Sequence, residues 1–233
     1  MAIPADTGAG NGAPFAKFRE VGDALIGAFA SDPSKSRRQM RNFDTQAPEV
    51  KPDGSPRLEE VLHLVAMPGT TAVVGDLTAP NPIESGAHVR FAVSGFKWGQ
   101  LIDARKQLPA HAGFAAGTPC SGDVLTVTLV GWSAETKNAP AATAAGFTVV
   151  DDRIVLRSQD DKDRYVLSQS RNGGNTNPAK DYEITLRRPT ADEKRWEQAA
   201  DELYLTKPWE AAVAQEPAMA GGGYIEPPMS EPF

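Results

Sequence analysis

The chain has 233 residues, 40% hydrophobic and 23% charged, which is enough to bury a core and is the composition of a globular protein. No stretch reaches the roughly 20 apolar residues of a membrane-spanning helix, and Cys120, the single cysteine, excludes an internal disulfide. The formal charge of -6 comes entirely from residues 191–233, with nine acids against three bases, while residues 1–190 carry 21 of each sign. The acidic total therefore says little about the surface of the main body. With no basic patch and apolar run at the start, the expected setting is a reducing cytoplasm.

Residues 1–14 are small and polar and are expected to be disordered. Residues 15–190 read as one domain, opening with a strand over 15–30 entered through Gly22-Asp23. Residues 31–56 lack apolar periodicity and read as a long loop or hairpin. They hold the densest basic run of the chain, Lys35, Arg37, Arg38 and Arg41, followed by Phe43. A strand is expected over 57–67, with partners at 70–74 and 88–94, where Val89, Phe91 and Val93 share one face. Trp98, Leu101, Ile102, Arg105 and Leu108 then recur at helical spacing, so 97–108 reads as a helix stopped by Pro109.

The strongest strand is expected over 124–132. Residues 133–177 read as an insertion: an Ala/Pro/Thr linker over 138–146, short strands at 147–150 and 154–157, and a third at 164–167. A last strand follows over 181–187. Thr190 and Glu193 have the spacing of a capping box for a helix over 191–206, with Trp196, Ala199, Ala200 and Leu203 as its apolar side. Residues 207–233 read as a flexible acidic tail. The class this implies is mainly β: an oligonucleotide-binding-like (OB-like) five-stranded barrel with one helix between main strands. A sandwich or an SH3-like barrel has the same pattern.

No catalytic signature is found. The three histidines, His63, His88 and His111, form no metal-binding pair, and no glycine-rich turn carries a phosphate-loop lysine. We expect no enzyme, no cofactor and no metal. A binding role rests instead on cations placed beside flat side chains, which single-stranded nucleic acid requires. Lys35, Arg37, Arg38, Arg41 and Phe43 form one such group, and Arg90, Phe96 and Lys97 form a second. Trp132 either covers the barrel mouth or stacks a base.

The order of features resembles single-stranded DNA-binding proteins of actinobacterial tailed bacteriophages. The resemblance is carried by Val21-Gly22-Asp23, Phe43-Asp44-Thr45, Lys51-Pro52-Asp53-Gly54-Ser55-Pro56-Arg57, Ser121-Gly122-Asp123-Val124 and Asn177-Pro178-Ala179-Lys180-Asp181-Tyr182. It implies an OB-fold that binds and protects single-stranded DNA with little sequence specificity during phage replication or recombination, without a cofactor. It also implies DNA contacts from Lys180 and Tyr182. The end of the chain, Glu231, Pro232 and Phe233, is similar to the acidic tip with which bacterial single-stranded DNA-binding proteins recruit replication and repair proteins. By that analogy Phe233 enters a partner's apolar pocket. The alternative is a non-enzymatic interaction or replisome accessory module on the same barrel. Barrel edges also leave room for a homo-oligomer.

Overall fold

The computed structural model describes residues 13–30, 37–40, 47–94, 96–111, 113–172 and 174–206. In chain order these form β1 (Ala24–Phe29), β2 (Arg37–Gln39), β3 (Leu58–Ala66), β4 (Val73–Asp76), β5 (Ala79–Pro82), β6 (His88–Val93), α1 (Phe96–Lys106), β7 (Val124–Glu135), α2 (Ala139–Ala144), β8 (Thr148–Val150), β9 (Arg153–Leu156), α3 (Gln159–Asn172), β10 (Ala179–Arg187) and α4 (Lys194–Thr206). Eight strands make one sheet with the path β2-β3-β1-β7-β9-β8, from which β6 branches off β3 and β10 off β7. β4 and β5 form a separate hairpin.

The expected closed five-stranded barrel is not what forms. Among the described residues no ladder joins β6 to β10, so the sheet is open and the fold is mixed α/β. The physical reason lies at the edge of β6. Ala16 N–H donates to Arg90 O at 2.8 Å and Arg90 N–H donates to Pro14 O at 2.9 Å, so a short N-terminal segment takes the hydrogen-bonding groups that closure would use. A buried or half-buried backbone group accepts only so many partners, and here the local segment wins.

Alternation along the strands divides two apolar layers. On one face Leu25, Phe29, Leu62, Leu64, Phe91, Val93, Leu125, Val127, Leu129 and Ile184 form the main core, onto which α1 packs Leu101 and Ala104, with Leu108 just past its end. On the other face Ala28, Ala30, Val65, Met67 and Val124 are covered by Ala200 and Leu203 of α4. Small residues in β1 let α4 approach closely. At Gly122, with φ +88°, a Cβ would stand 2.6 Å from Glu197 Cγ, so this helix lies directly on the backbone.

The insertion also differs from expectation. The strands at β8 and β9 do pair, through a two-residue turn in which Asp151 and Asp152 have φ of 47° and 57°, the geometry a tight hairpin needs and that aspartate tolerates. The stretch expected as an Ala/Pro/Thr linker is instead helix α2, with Asn138 Oδ1 accepting the N–H of Ala141 at 3.0 Å. The third strand expected at 164–167 lies within helix α3. Ser158 Oγ accepts the N–H of Asp161 at 3.1 Å and Asp160 and Asp161 occupy the first turn, so a cap and favourable dipole charges outweigh the strand preference of Tyr165 and Val166. Tyr165 packs edge-on against Phe147 at 6.0 Å.

β7 carries both halves. Its first part pairs with β1 and its last part with β9, and the change falls near Gly131, where β10 also shifts register between Asp181 and Tyr182. Among the described residues no helix is long and apolar enough to cross a membrane.

Candidate functional site at the open seam

Where β6 and β10 fail to pair, side chains join them. Tyr182 of β10 meets Phe18 at 5.1 Å and Phe91 of β6 at 5.9 Å between ring centres, both nearly perpendicular, the edge-to-face arrangement aromatic rings favour. Lys97, in the first turn of α1, donates from Nζ to Ala92 O at 2.6 Å and lies 4.9 Å from the Phe91 ring centre. Lys180 Nζ donates to Phe18 O at 2.5 Å. Burial lowers the affinity of Lys97 for its proton; Glu59 opposes this and the charge of Lys180 adds to it. Lys180 is lowered by burial first and then by Lys162. The Tyr182 hydroxyl is pushed up to about 12 by burial.

Past the seam, β10 borders a groove of about 760 Å³, walled by Gln100, Asp103 and Ala104 of α1, by Gln107 just past its end, by Tyr182 to Leu186 of β10, and by Val130 of β7 and Arg157 after β9. β10 has β7 as its one hydrogen-bonded strand neighbour among the described residues. Gln100 Oε1, in the wall of this groove, is buried and accepts no hydrogen bond. Such an atom costs about 1–3 kcal/mol unless a donor reaches it. The groove thus offers a strand edge, an apolar floor from Ala104, Ile184 and Leu186, and an acceptor without a donor.

No known protein family, curated protein or solved structure matches the chain. The resemblance to phage single-stranded DNA-binding proteins rests on its motifs alone. The expected function, binding and protecting single-stranded DNA, is tied to a closed OB-like barrel. The open sheet removes that basis, and with it the roles in DNA replication and recombination and the accessory module built on the same barrel.

The residues expected to bind are dispersed. Lys35, Arg41 and Phe43 lie outside the described residues, as do Glu231, Pro232 and Phe233. Arg37 and Arg38 belong to β2, opposite Glu60 and Glu59 of β3. Arg90 lies over the Phe15 ring at 4.3 Å and donates to Ala13 O, holding the N-terminal segment. Phe96 begins α1 beside Lys97. Trp132 is 1% exposed and Lys162 covers its ring at 4.6 Å, so its indole belongs to the core and presents no face for stacking. Lys97, Lys180 and Tyr182 do come together, as the internal fastening of the seam.

Two buried polar groups have structural partners. Arg188 Nη1 lies 3.0 and 2.7 Å from the carboxylate oxygens of Asp123, and Arg105 Nη2 lies 2.7 Å from Glu60 Oε1. The Cys120 thiol is pushed up to about 11 by burial and by Asp123, the reverse of what an activated nucleophile needs. Among the described residues no three His, Cys, Asp or Glu side chains are grouped to hold a metal ion. Sequence reasoning missed the groove, because Gln100 and β10 are brought together only by the way α1 packs across the seam.

Proposed function

We propose that this is a non-catalytic binding protein that takes an extended polypeptide along the outer edge of β10, in the groove under α1. The observation that carries this reading is the pairing of an edge strand with a buried, unpaired acceptor in the same groove. A peptide laid along β10 would gain main-chain hydrogen bonds, which supply affinity without demanding particular side chains, while Ala104, Ile184 and Leu186 favour small apolar residues at alternate positions. Gln100 Oε1 would accept one N–H from the guest.

The test is to pan the full chain against a displayed library of random peptides and titrate enriched peptides by fluorescence anisotropy. Binding is expected to be saturable, to slow amide exchange in β10, and to weaken by about tenfold or more in Thr185→Trp, which fills the groove. Failure to enrich any peptide, or full affinity retained by both Thr185→Trp and Gln100→Leu, would overturn the reading.

A further inference from the structure

The groove beside β10 has a direction. Lys97, in the first turn of α1, lies 5.4 Å from the Tyr182 ring centre, while Pro109 O, just past the end of α1, accepts from Arg188 Nε at 3.0 Å. Helix and strand therefore run side by side in the same sense, from Tyr182 towards Arg188. The backbone groups left open on β10 follow from its one ladder. Leu129 N–H donates to Asp23 O and Leu129 O accepts from Gly22 N–H, both at 2.9 Å, so the backbone groups of Leu129 point away from β10. Tyr182 stands opposite Leu129, and in an antiparallel ladder such a pair turns the N–H and C=O of both residues away from each other. By the same alternation Ile184 and Leu186 also present theirs to the open edge. These three residues can template a guest strand of about five residues.

The two ends of the groove differ in charge. Arg157 is exposed, lines the groove, and donates from Nη1 to Val130 O at 3.3 Å. Val130 lies between Leu129 and Gly131, the residues opposite Tyr182 and Asp181, so this guanidinium stands at the Tyr182 end. Among the described residues it has no carboxylate within ion-pair distance. Of the two acids in the groove, Asp103 is farther along α1 and is held by Lys106 at 2.8 Å. Glu183 faces solvent between Tyr182 and Ile184, and no ion pair joins it to Arg157. An unpaired guanidinium at one end of an open strand edge suits a guest chain that ends there, because a terminal carboxylate matches the planar fork of arginine. That placement also runs the guest antiparallel to β10, the more stable of the two strand pairings.

We propose that the groove selects polypeptide C-termini, with the terminal carboxylate on Arg157 and the last residues of the guest antiparallel to Tyr182, Ile184 and Leu186. This rests on the groove being a peptide site, and it names which part of a polypeptide enters and in which direction.

The test offers the immobilised full chain two random hexapeptide libraries that share an N-terminal fluorophore and differ only at the other end, a free carboxylate in one and a carboxamide in the other. The acid-ended library should be retained about tenfold or more above the amide-ended one, the order of a charge-assisted hydrogen bond, and the preference should shrink as salt rises. Arg157→Gln should abolish the preference while retaining amide-ended peptides as the wild type does, an outcome that a misfolded variant would not give. Thr185→Trp should lower retention of both libraries. Equal retention of the two libraries by the wild type, lowered for both by Thr185→Trp, overturns the selection of C-termini and leaves the groove as a peptide site. A preference that survives in Arg157→Gln overturns the placement of the carboxylate, and retention of neither library overturns the peptide site as well.

Discussion

The ammonium of Lys97 lies 5.4 Å from the centre of the Tyr182 ring, and this contact spans the gap where β6 and β10 have no ladder. Its alkaline behaviour follows. The Tyr182 hydroxyl is raised from 10 to about 12, so over that interval the folded chain keeps a proton the unfolded chain has released. Stability should fall as pH climbs through this window, by on the order of 2 kcal/mol. Lys97, lowered by burial, acts the other way as pH approaches its ordinary value of 10.5. Urea melts of wild type and Tyr182→Phe at matched pH cancel that opposing effect. The difference should be confined to the alkaline window.

Gln100→Leu removes a buried acceptor with no donor. Denaturant melts should show stability unchanged or raised by about 1 kcal/mol, because the unpaired oxygen is lost and an apolar group of similar shape takes its place. The same variant should bind groove peptides more weakly. Gain in stability with loss of binding is the pattern expected of a group kept for a ligand.

Arg188→Met leaves the fully buried Asp123 carboxylate without its guanidinium partner. The expected cost is about 3–5 kcal/mol, as for breaking one side of a buried pair. Asp123→Asn together with Arg188→Met should cost much less than the two single changes added. Thermal unfolding of the four proteins in the cycle measures this directly.

Cys120 should alkylate slowly at neutral pH while folded, since its thiol is held near 11 and only the thiolate reacts. Labelling by iodoacetamide should accelerate on addition of denaturant. Rapid labelling of the native chain would contradict the burial of this thiol against Asp123.

Gly131 has φ +153°, and a Cβ there would stand 2.3 Å from Leu156 O. Gly131→Ala must therefore force β7 and β9 apart at the point where β7 changes partners. A loss of about 2–3 kcal/mol is expected, near the top of the ordinary range for single substitutions.

Much of the element order was legible in the residues themselves. The helical spacing from Trp98 to Leu108 corresponds to α1, and the alternation from Val124 onward corresponds to β7. The spacing of Thr190 and Glu193 also held, with Glu193 accepting the Thr190 N–H at 2.8 Å. These signals are local, and a period or a cap reads directly from neighbours in the chain. Closure of the sheet was not legible, because it depends on residues 14–16 reaching the edge of β6, some 75 positions away. α3 was misread because Arg164 to Leu167 resembles a strand once the upstream cap at Ser158 is ignored. The groove was hidden for the same reason as the seam: no pattern along α1 or β10 alone reveals which faces the other.

The ladder pairs Ser133 directly with Ala179. Everything between them, α2, the β8 and β9 hairpin and α3, is thus an excursion that leaves and re-enters across a single rung. In engineering terms the segment is an exchangeable cassette: a tight turn could bridge β7 to β10 in its place, at the cost of uncovering Trp132, and a foreign domain could be carried on the same two stems.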